Sequence, residues 1–361
     1  MNYDKKLVKH YANLCEIAKR KASELSATSF DLITAFCLYF KNAKKPAYNA
    51  EKIVDNIKGG FLAENFSTSS NEDLLKTSSA LYALVNYKLA TSSSEYDSFA
   101  NTLFTMLLQG ASDALNSDNA LMFYSGLSCL NAISSYDSLN RNNLGENFYL
   151  LCKQKLANKN PIADNAPCDL LLLCAIGAFY YEKQLKYDLC ESIFESICYN
   201  ALSINFAIGK SLLSPQVSSP SATALALKLC TLLYRHSGKD VYRFMLRRIW
   251  FNGMQFCQRP NGGVGYDSFV LNGQTLGVIS YEQEELSPIY AEGLSLYCKH
   301  PELFCEKDGE VVKDSFGRYF IDDKMFARDV SGFFGKDLIE IPSLTSFDKE
   351  TALQLKLKLN F

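Results

Sequence analysis

The chain has 361 residues, of which 48% are hydrophobic and 21% charged, so it can bury a large core and is not disordered overall. Its net charge of −2, without a stripe of basic and aromatic residues, argues against nucleic-acid binding. The longest apolar run, Leu170 to Tyr181, is too short to cross a membrane, and the charged start of the chain predicts no signal peptide.

Helical periodicity dominates the chain. We predict helices over residues 3–25, 30–42, 49–58, 71–89, 95–115, 119–135, 144–157, 168–183, 186–203, 220–236, 241–257 and 286–300. In the helix over residues 220–236, leucines recur at helical spacing, Ser219 is placed to cap the N-terminus and Gly238 to end the helix. Most links between helices are short and rich in Ser, Asn, Asp and Gly, which predicts antiparallel helical hairpins.

The sequence changes character after Pro301. Segments 308–314 and 316–321 have the pattern of a small β-hairpin, and leucines alternate with polar residues from Leu353 to Leu359 as in a half-exposed strand. We therefore expect a helical domain over residues 1–300 and a β-containing appendage over residues 301–361.

The cysteines and histidines predict neither a disulfide framework nor a metal site. The twelve cysteines include no C-x-x-C pair, and most lie among Leu, Ile and Ala at helical positions. This pattern is typical of small buried thiols in a reducing compartment and favours a cytoplasmic location. The three histidines are far apart in the sequence, and no nucleotide-binding or other cofactor motif is present, so we expect no cofactor.

The first candidate site is the loop that follows the helix containing Trp250, the single tryptophan of the chain. Three glycines between positions 262 and 265 allow tight turns, so that the polar side chains around them can face a ligand. The residues that we predict to contact a ligand are Trp250, Gln258, Arg259, Asn261, Tyr266 and Asp267. Amides, a carboxylate and flat aromatic rings suit a sugar, whereas the alternative interpretation is a helix terminator with a buried tryptophan.

The second candidate site is the acidic segment from Tyr281 to Gly293. Glu284 and Glu285 would lie just before a helix, where acidic side chains also serve as ordinary caps. In the functional interpretation, one of them forms a carboxylate pair with Asp267 or Glu292. Such a pair can cleave a glycosidic bond, one residue acting as acid and the other as base or nucleophile. Tyr281 and Glu292 are further candidates for substrate binding.

These residues resemble the six-hairpin, (α/α)6-toroid glycosidases, and among them the β-L-arabinofuranosidase-like group. The resemblance is carried by the helix with Arg247 to Asn252, the loop Asn261 to Gly265 and the later pattern Tyr290-Ala291-Glu292. That group continues its Tyr-Ala-Glu pattern with Thr-Cys and uses a cysteine nucleophile with a metal. Here Gly293 and Leu294 follow instead, so the cysteine mechanism is not carried over.

We therefore predict an all-α fold, an (α/α)6 toroid of about six helical hairpins with a short β-containing C-terminal tail. The predicted function is that of a glycoside hydrolase acting on an oligosaccharide, with Glu284 or Glu285 and Asp267 as the catalytic carboxylates. The alternative is a non-catalytic toroid that binds carbohydrate or a protein partner. A terpenoid-cyclase-like toroid would need an acidic initiator motif, which the sequence lacks.

Overall fold

A computed structural model of the protein describes most of the helical part and short pieces of the rest. The described residues are 27–43, 66–182, 188–203, 206–214, 217–254, 264–265, 284–285, 288–304, 311–313, 318–321, 324–328 and 339–340. The helices predicted over residues 3–25 and 49–58, and the strand predicted over residues 353–359, lie outside them.

Eleven α-helices are described. They are α1 (Ala27–Ala43), α2 (Asn71–Thr91), α3 (Asp97–Ala114), α4 (Ala120–Ser128), α5 (Leu130–Asn140), α6 (Glu146–Ala157), α7 (Cys168–Glu182), α8 (Asp188–Asn200), α9 (Pro220–Ser237), α10 (Asp240–Arg248) and α11 (Pro288–Lys299). A π-helical turn, Ile249–Met254, continues α10, and a 3-10 turn, Pro301–Phe304, follows α11.

Six of these helices pack side by side into a closed ring. Around the ring, α1 contacts α2, α2 contacts α5, α5 contacts α7, α7 contacts α9, and α9 contacts α11. The last helix, α11, packs back against α1 and so closes the ring. Helices α3, α6, α8 and α10 each follow an inner helix and form the outer layer. The predicted all-α toroid is thereby confirmed.

The two faces of the ring differ in their connections. Each described outer helix returns the chain after a short link, so the inner helices α2, α5, α7 and α9 run in the same direction. The links at their C-terminal ends, such as residues 92–96 and 141–145, are short. The links at their N-terminal ends include residues 158–167 and 201–219, which are longer. Long loops on a rigid scaffold often carry function, so the N-terminal face is the one to search.

Buried carboxylates tie the inner helices to the outer layer. Asp137, near the end of α5, accepts hydrogen bonds from the backbone N–H of Gly145 (2.8 Å) and the hydroxyl of Tyr181 (2.7 Å). Glu182, at the end of α7, accepts from the backbone N–H groups of Leu189 (2.9 Å) and Cys190 (3.1 Å) in the first turn of α8. Each carboxylate thus satisfies N–H groups at the start of the next outer helix, which otherwise lack partners.

The inner helices approach closely because apolar and small residues face one another. Leu225, Leu229 and Leu233 of α9 are at most 1% exposed, and burying such a side chain contributes about 1.5–3 kcal/mol. At Gly177 of α7, a Cβ atom would lie 2.5 Å from the backbone carbon of Leu130. Backbone therefore packs directly on backbone where α7 meets the start of α5.

The predicted helix boundaries agree with the observed ones to within a few residues, with two differences. The helix predicted over residues 119–135 is broken at Cys129 and continues to Asn140. The helix predicted over residues 241–257 changes into the π-helical turn after Arg248. The predicted caps of α9 are confirmed, since the Ser219 side chain accepts from the N–H of Ala222 and Gly238 has a φ of 69°.

The buried thiols agree with the sequence pattern. All eight cysteines whose side chains the structure describes are free, and seven of them are buried. The longest apolar run of the sequence forms α7 in the wall of the ring. Among the described residues, no helix combines the length and hydropathy that crossing a membrane requires.

Strands follow the helical part. The predicted hairpin is confirmed as β3 (Val311–Lys313) paired antiparallel with β4 (Arg318–Ile321). Two further strands, β5 (Lys324–Arg328) and β6 (Ile339–Glu340), extend it to a four-stranded sheet in the order β3-β4-β5-β6. These two strands are not among the elements predicted from the sequence. The division into domains at residue 301 stays a prediction.

Candidate functional site

Charged and hydroxyl side chains from the inner helices meet inside the ring. The Lys228 ammonium, on α9, donates a hydrogen bond to the Tyr82 hydroxyl on α2 (2.6 Å). It also forms an ion pair with Glu292 on α11 (3.1 Å), in which the two side chains are 16% and 7% exposed. The same ammonium lies 5.0 Å from the centre of the Tyr82 ring. Three inner helices are therefore joined through one lysine.

A second carboxylate, Asp31 of α1, belongs to the same group. Burial raises the pKa of Asp31 to about 7, a hydrogen bond with Ser79 partly offsets this, and the negative charge of Glu292 raises the pKa further. Two carboxylates that sense each other's charge do not ionise independently. Near pH 7, where the pKa of Asp31 lies, this residue is present in both its protonated and its ionised form.

The electrostatics of Lys228 and Tyr82 are set by the same neighbours. Burial alone would lower the pKa of Lys228, but the charge of Glu292 and the contact with Tyr82 outweigh it and raise that pKa well above its usual value. Burial, together with the charge of Glu292, raises the pKa of Tyr82, and Lys228 counteracts part of this shift. At neutral pH the lysine is charged and the tyrosine is neutral.

The local sequence explains why these side chains point into the ring. Asp31 is the single charged residue in the segment 27–40, Lys228 in the segment 220–234 and Glu292 in the segment 288–298. The rest of each segment is apolar or small and packs against neighbouring helices. A lone charge in an apolar inner segment is the signal in the sequence that could have found Asp31 and Lys228. Ser79 and Tyr82 carry no comparable signal, since their helix contains several charged residues.

Of the predicted site residues, the structure places Glu292 inside the ring. Glu284 and Glu285 form the strand β2, which ends shortly before α11 begins. This strand pairs antiparallel with β1 (Val264–Gly265), which belongs to the predicted glycine-rich loop. Gly265 is paired with Glu284. The two candidate segments are thus adjacent through their backbones, and the chain runs from them into α11 and Glu292.

The remaining predicted positions of the glycine-rich loop and the acidic segment are not in the described part of the chain. They are Gln258, Arg259, Asn261, Tyr266, Asp267 and Tyr281. Their predicted roles stay predictions, as do the catalytic roles of Glu284 and Glu285, for which the structure describes the backbone alone.

Trp250 lies in the core. It is 2% exposed, its ring is stacked on that of Tyr297 with the planes 3° apart, and it also contacts Phe304. This environment corresponds to the alternative interpretation from the sequence, a buried tryptophan at the end of a helix. A direct stacking role on a sugar is therefore not supported by its position.

The chemistry available to the central group is proton transfer. Asp31 can donate a proton near neutral pH, Glu292 offers a carboxylate beside a cation, and Tyr82 has a hydroxyl next to that cation. Among the residues that the structure describes, His, Cys, Asp and Glu side chains do not form a group of three able to hold a metal ion.

Comparison with known proteins finds similarity at the level of structure alone. No family model and no curated protein matches the sequence. A polysaccharide lyase superposes with a TM-score of 0.53 at 10% identity, covering 85% of this chain and 100% of its own. A glycosyl hydrolase of family 88 from Bacteroides vulgatus gives a TM-score of 0.54 at 10% identity, covering 84% and 100%.

A third structure, a cellobiose 2-epimerase from Bacillus thermoamylovorans, gives a TM-score of 0.51 at 11% identity, covering 75% of this chain and 86% of its own. All three are six-hairpin toroids, which confirms the predicted resemblance at the level of the fold. The specific likeness to the β-L-arabinofuranosidase-like group stays a prediction. The chain is thus a six-hairpin, (α/α)6 toroid, of the fold shared by a lyase, a glycosyl hydrolase and an epimerase.

Proposed function

We propose that the protein processes an oligosaccharide by acid/base catalysis at the centre of the ring, most simply as a glycoside hydrolase. In this proposal Asp31 is the general acid, and Glu292 is the base or nucleophile on the other side of the scissile bond. The observation that carries the proposal is the carboxylate pair inside a closed toroid, in which Asp31 has a pKa of about 7.

Energetics favour a functional origin for this group. A buried ion pair adds little stability, and replacing it with apolar residues is often neutral or stabilising by about 1–4 kcal/mol. Strongly perturbed carboxyl groups also concentrate at catalytic sites. The carbohydrate-related names of the similar structures point to the same class of substrate.

The glycine-rich loop and the acidic segment, which we call the rim of the site, are also part of the proposal. Pairing of β1 with β2 places Glu284 and Glu285 beside the glycine-rich loop, where they and Asp267 are further candidates for the catalytic carboxylates. Gln258, Arg259, Asn261, Tyr266 and Tyr281 are proposed to contact the sugar. We also retain the cytoplasmic location, with which the free, buried cysteines are consistent.

The proposal is tested by turnover on a panel of di- and oligosaccharides, followed by mass spectrometry of the products. We expect Asp31→Asn and Glu292→Gln each to lower kcat by about 100-fold or more, since general acid/base groups contribute about 10²–10⁴. Glu284→Gln, Glu285→Gln and Asp267→Asn are assayed in parallel to separate the rim carboxylates from the central pair.

Matched controls are Asp118→Asn and Glu195→Gln, which change exposed carboxylates without touching the site. Both should retain wild-type turnover. Full activity in the Asp31 and Glu292 variants, with loss in a rim variant, would move the catalytic pair to the rim. Unchanged turnover in all five site variants would remove carboxylate catalysis altogether.

A second candidate function is binding without catalysis. The contacts of Lys228 with both Glu292 and Tyr82 favour this second function, because they pair the polar groups of the site with each other. In that case an oligosaccharide binds to the wild type and to both central variants, as calorimetry would show, while no product forms.

A further inference from the structure

We propose that Lys228 is a positioning residue that keeps a single proton on the Asp31–Glu292 pair, with the proton on Asp31 and the negative charge on Glu292. Lys228 would thereby set the pH range in which the site works. This inference rests on the proposed function, in which the two carboxylates have different roles.

The contacts of the lysine are asymmetric. Lys228 is 3.1 Å from a carboxylate oxygen of Glu292, whereas the hydrogen bond described for Asp31 is with the neutral hydroxyl of Ser79. The lysine is held in place by its second hydrogen bond, at 2.6 Å, to Tyr82. A fixed cation beside one carboxylate stabilises the ionised form of that carboxylate first.

Among the described residues, few other charged groups lie where they could stabilise an ionised Glu292. Helix α1 packs against α2 and α11, and the titratable groups that these helices bring to the site in the described part of the chain are Tyr82 and Glu292. Lys228 comes in from α9. Tyr82 is neutral over the relevant range, so the described residues bring one cation and two carboxylates to the site.

That balance explains why one proton is retained. With both carboxylates ionised, the site would contain an uncompensated buried negative charge, which costs several kcal/mol unless it is neutralised. A proton on Asp31 brings the net charge of the group to zero. Without the cation, neutrality would need a second proton, on Glu292.

A purely structural role for Lys228 makes a different prediction. If the ion pair only ties α9 to α11, its removal lowers stability by the same amount at every pH. If it sets the proton count, its removal changes the slope of stability against pH, because that slope measures the protons bound by the folded chain relative to the unfolded chain.

The test measures the free energy of unfolding by denaturant at closely spaced values between about pH 5 and pH 8. We expect Lys228→Met to bind about one more proton than the wild type in its folded state within this range. Lys228→Arg, which retains the charge, should keep the wild-type slope. The double variant Lys228→Met with Glu292→Gln should return to the wild-type slope, since the carboxylate that would accept the second proton is gone.

A wild-type slope in Lys228→Met would overturn the inference. Should that variant fail to fold, ¹³C NMR of the side-chain carboxyl groups in the wild-type protein decides the question. An ionised Glu292 and a protonated Asp31 near pH 5.5 support the proposal, whereas a proton on Glu292 overturns it.

These measurements need no substrate, so they separate the inference from the proposed function. A protein with the expected proton count but without turnover on any oligosaccharide would leave the role of Lys228 intact and remove the catalytic proposal. If turnover is found, Lys228→Met should shift its pH–rate profile and Lys228→Arg should restore it.

Discussion

Asp31 shows at the scale of one residue how burying a carboxyl group can cost stability. Its pKa is raised by burial to about 7, above the value near 4 that a carboxyl group has in an unfolded chain. The folded chain therefore binds the proton more tightly than the unfolded chain does. Its contribution to stability is complete below about pH 4 and is lost as the pH rises through about 7.

The resulting prediction concerns Asp31→Asn, which removes the carboxylate but keeps the shape. We expect this variant to be more stable than the wild type by about 1–3 kcal/mol at pH 8, because no buried charge forms. The difference should shrink toward zero as the pH falls to about 4, the usual pKa of a carboxyl group in an unfolded chain. Denaturant unfolding at both pH values measures it, and an equal difference at both would show that ionisation is not the cause.

His300 gives a pH effect of the opposite sign. Arg235 can only donate, so its hydrogen bond of 2.9 Å to His300 Nε2 requires a neutral imidazole. Burial and the charge of Arg235 lower the pKa of His300. Because the unfolded chain then binds the proton more tightly, stability should fall as the pH drops below about 6.5.

We therefore expect His300→Gln, which keeps an oxygen acceptor for Arg235, to reduce the loss of stability between about pH 7.5 and pH 5.5. Thermal or denaturant unfolding at the two pH values is the measurement. An identical pH dependence in variant and wild type would show that His300 does not titrate in this range.

At the scale of single residues, the sequence predicted Glu292 as a site residue and missed its partners. Glu292 stood out because it lies near other carboxylates in the sequence. Lys228 and Asp31 are far from it and meet it through the closure of the ring. Sequence spacing alone cannot bring α1, α9 and α11 together, although a lone charge in each apolar helix was a usable signal.

At the scale of elements, the link between inner and outer helices depends on Glu182. Its carboxylate accepts two backbone N–H groups at the start of α8 and the Tyr149 hydroxyl, at 2.8–3.1 Å. Glu182→Gln should lower the free energy of unfolding by about 1–3 kcal/mol, because charge-assisted bonds to a buried carboxylate are lost. The exposed Glu195→Gln is the matched control and should change stability by less than about 0.5 kcal/mol.

Gly177 tests the packing between α7 and α5. A methyl group there would lie 2.5–2.6 Å from backbone atoms of Leu130 and Asn131, so the helices would have to separate. Gly177→Ala should destabilise by about 1–3 kcal/mol, although alanine gains about 1 kcal/mol in helix propensity. A thermal melt that shows stabilisation would mean that the two backbones are not in direct contact.

The helices were predictable from the sequence because their stripes and caps are local. The break at Cys129 and the π-helical turn after Arg248 were not, because helical periodicity continues through both places. At the turn, a Cβ atom on Gly253 would lie 2.4 Å from the carbonyl oxygen of Phe206. The change of helix type therefore accompanies a contact with a loop that is remote in the sequence.

At the scale of the whole molecule, the toroid follows from the number and pairing of helices. Apolar stripes and short links predict hairpins, and the contact of α11 with α1 closes them into a ring. The closure creates an interior that no single hairpin has. Charges that are isolated within their own helices become neighbours there, which is why the site is a property of the ring.

The account is tested most directly by a crystal structure of the Glu292→Gln variant with an oligosaccharide soaked into the crystals. We predict a sugar ring at the centre of the toroid, with a glycosidic oxygen within hydrogen-bond distance of the Asp31 carboxyl group. Sugar bound elsewhere, with the space between Asp31 and residue 292 filled by protein side chains, would contradict it.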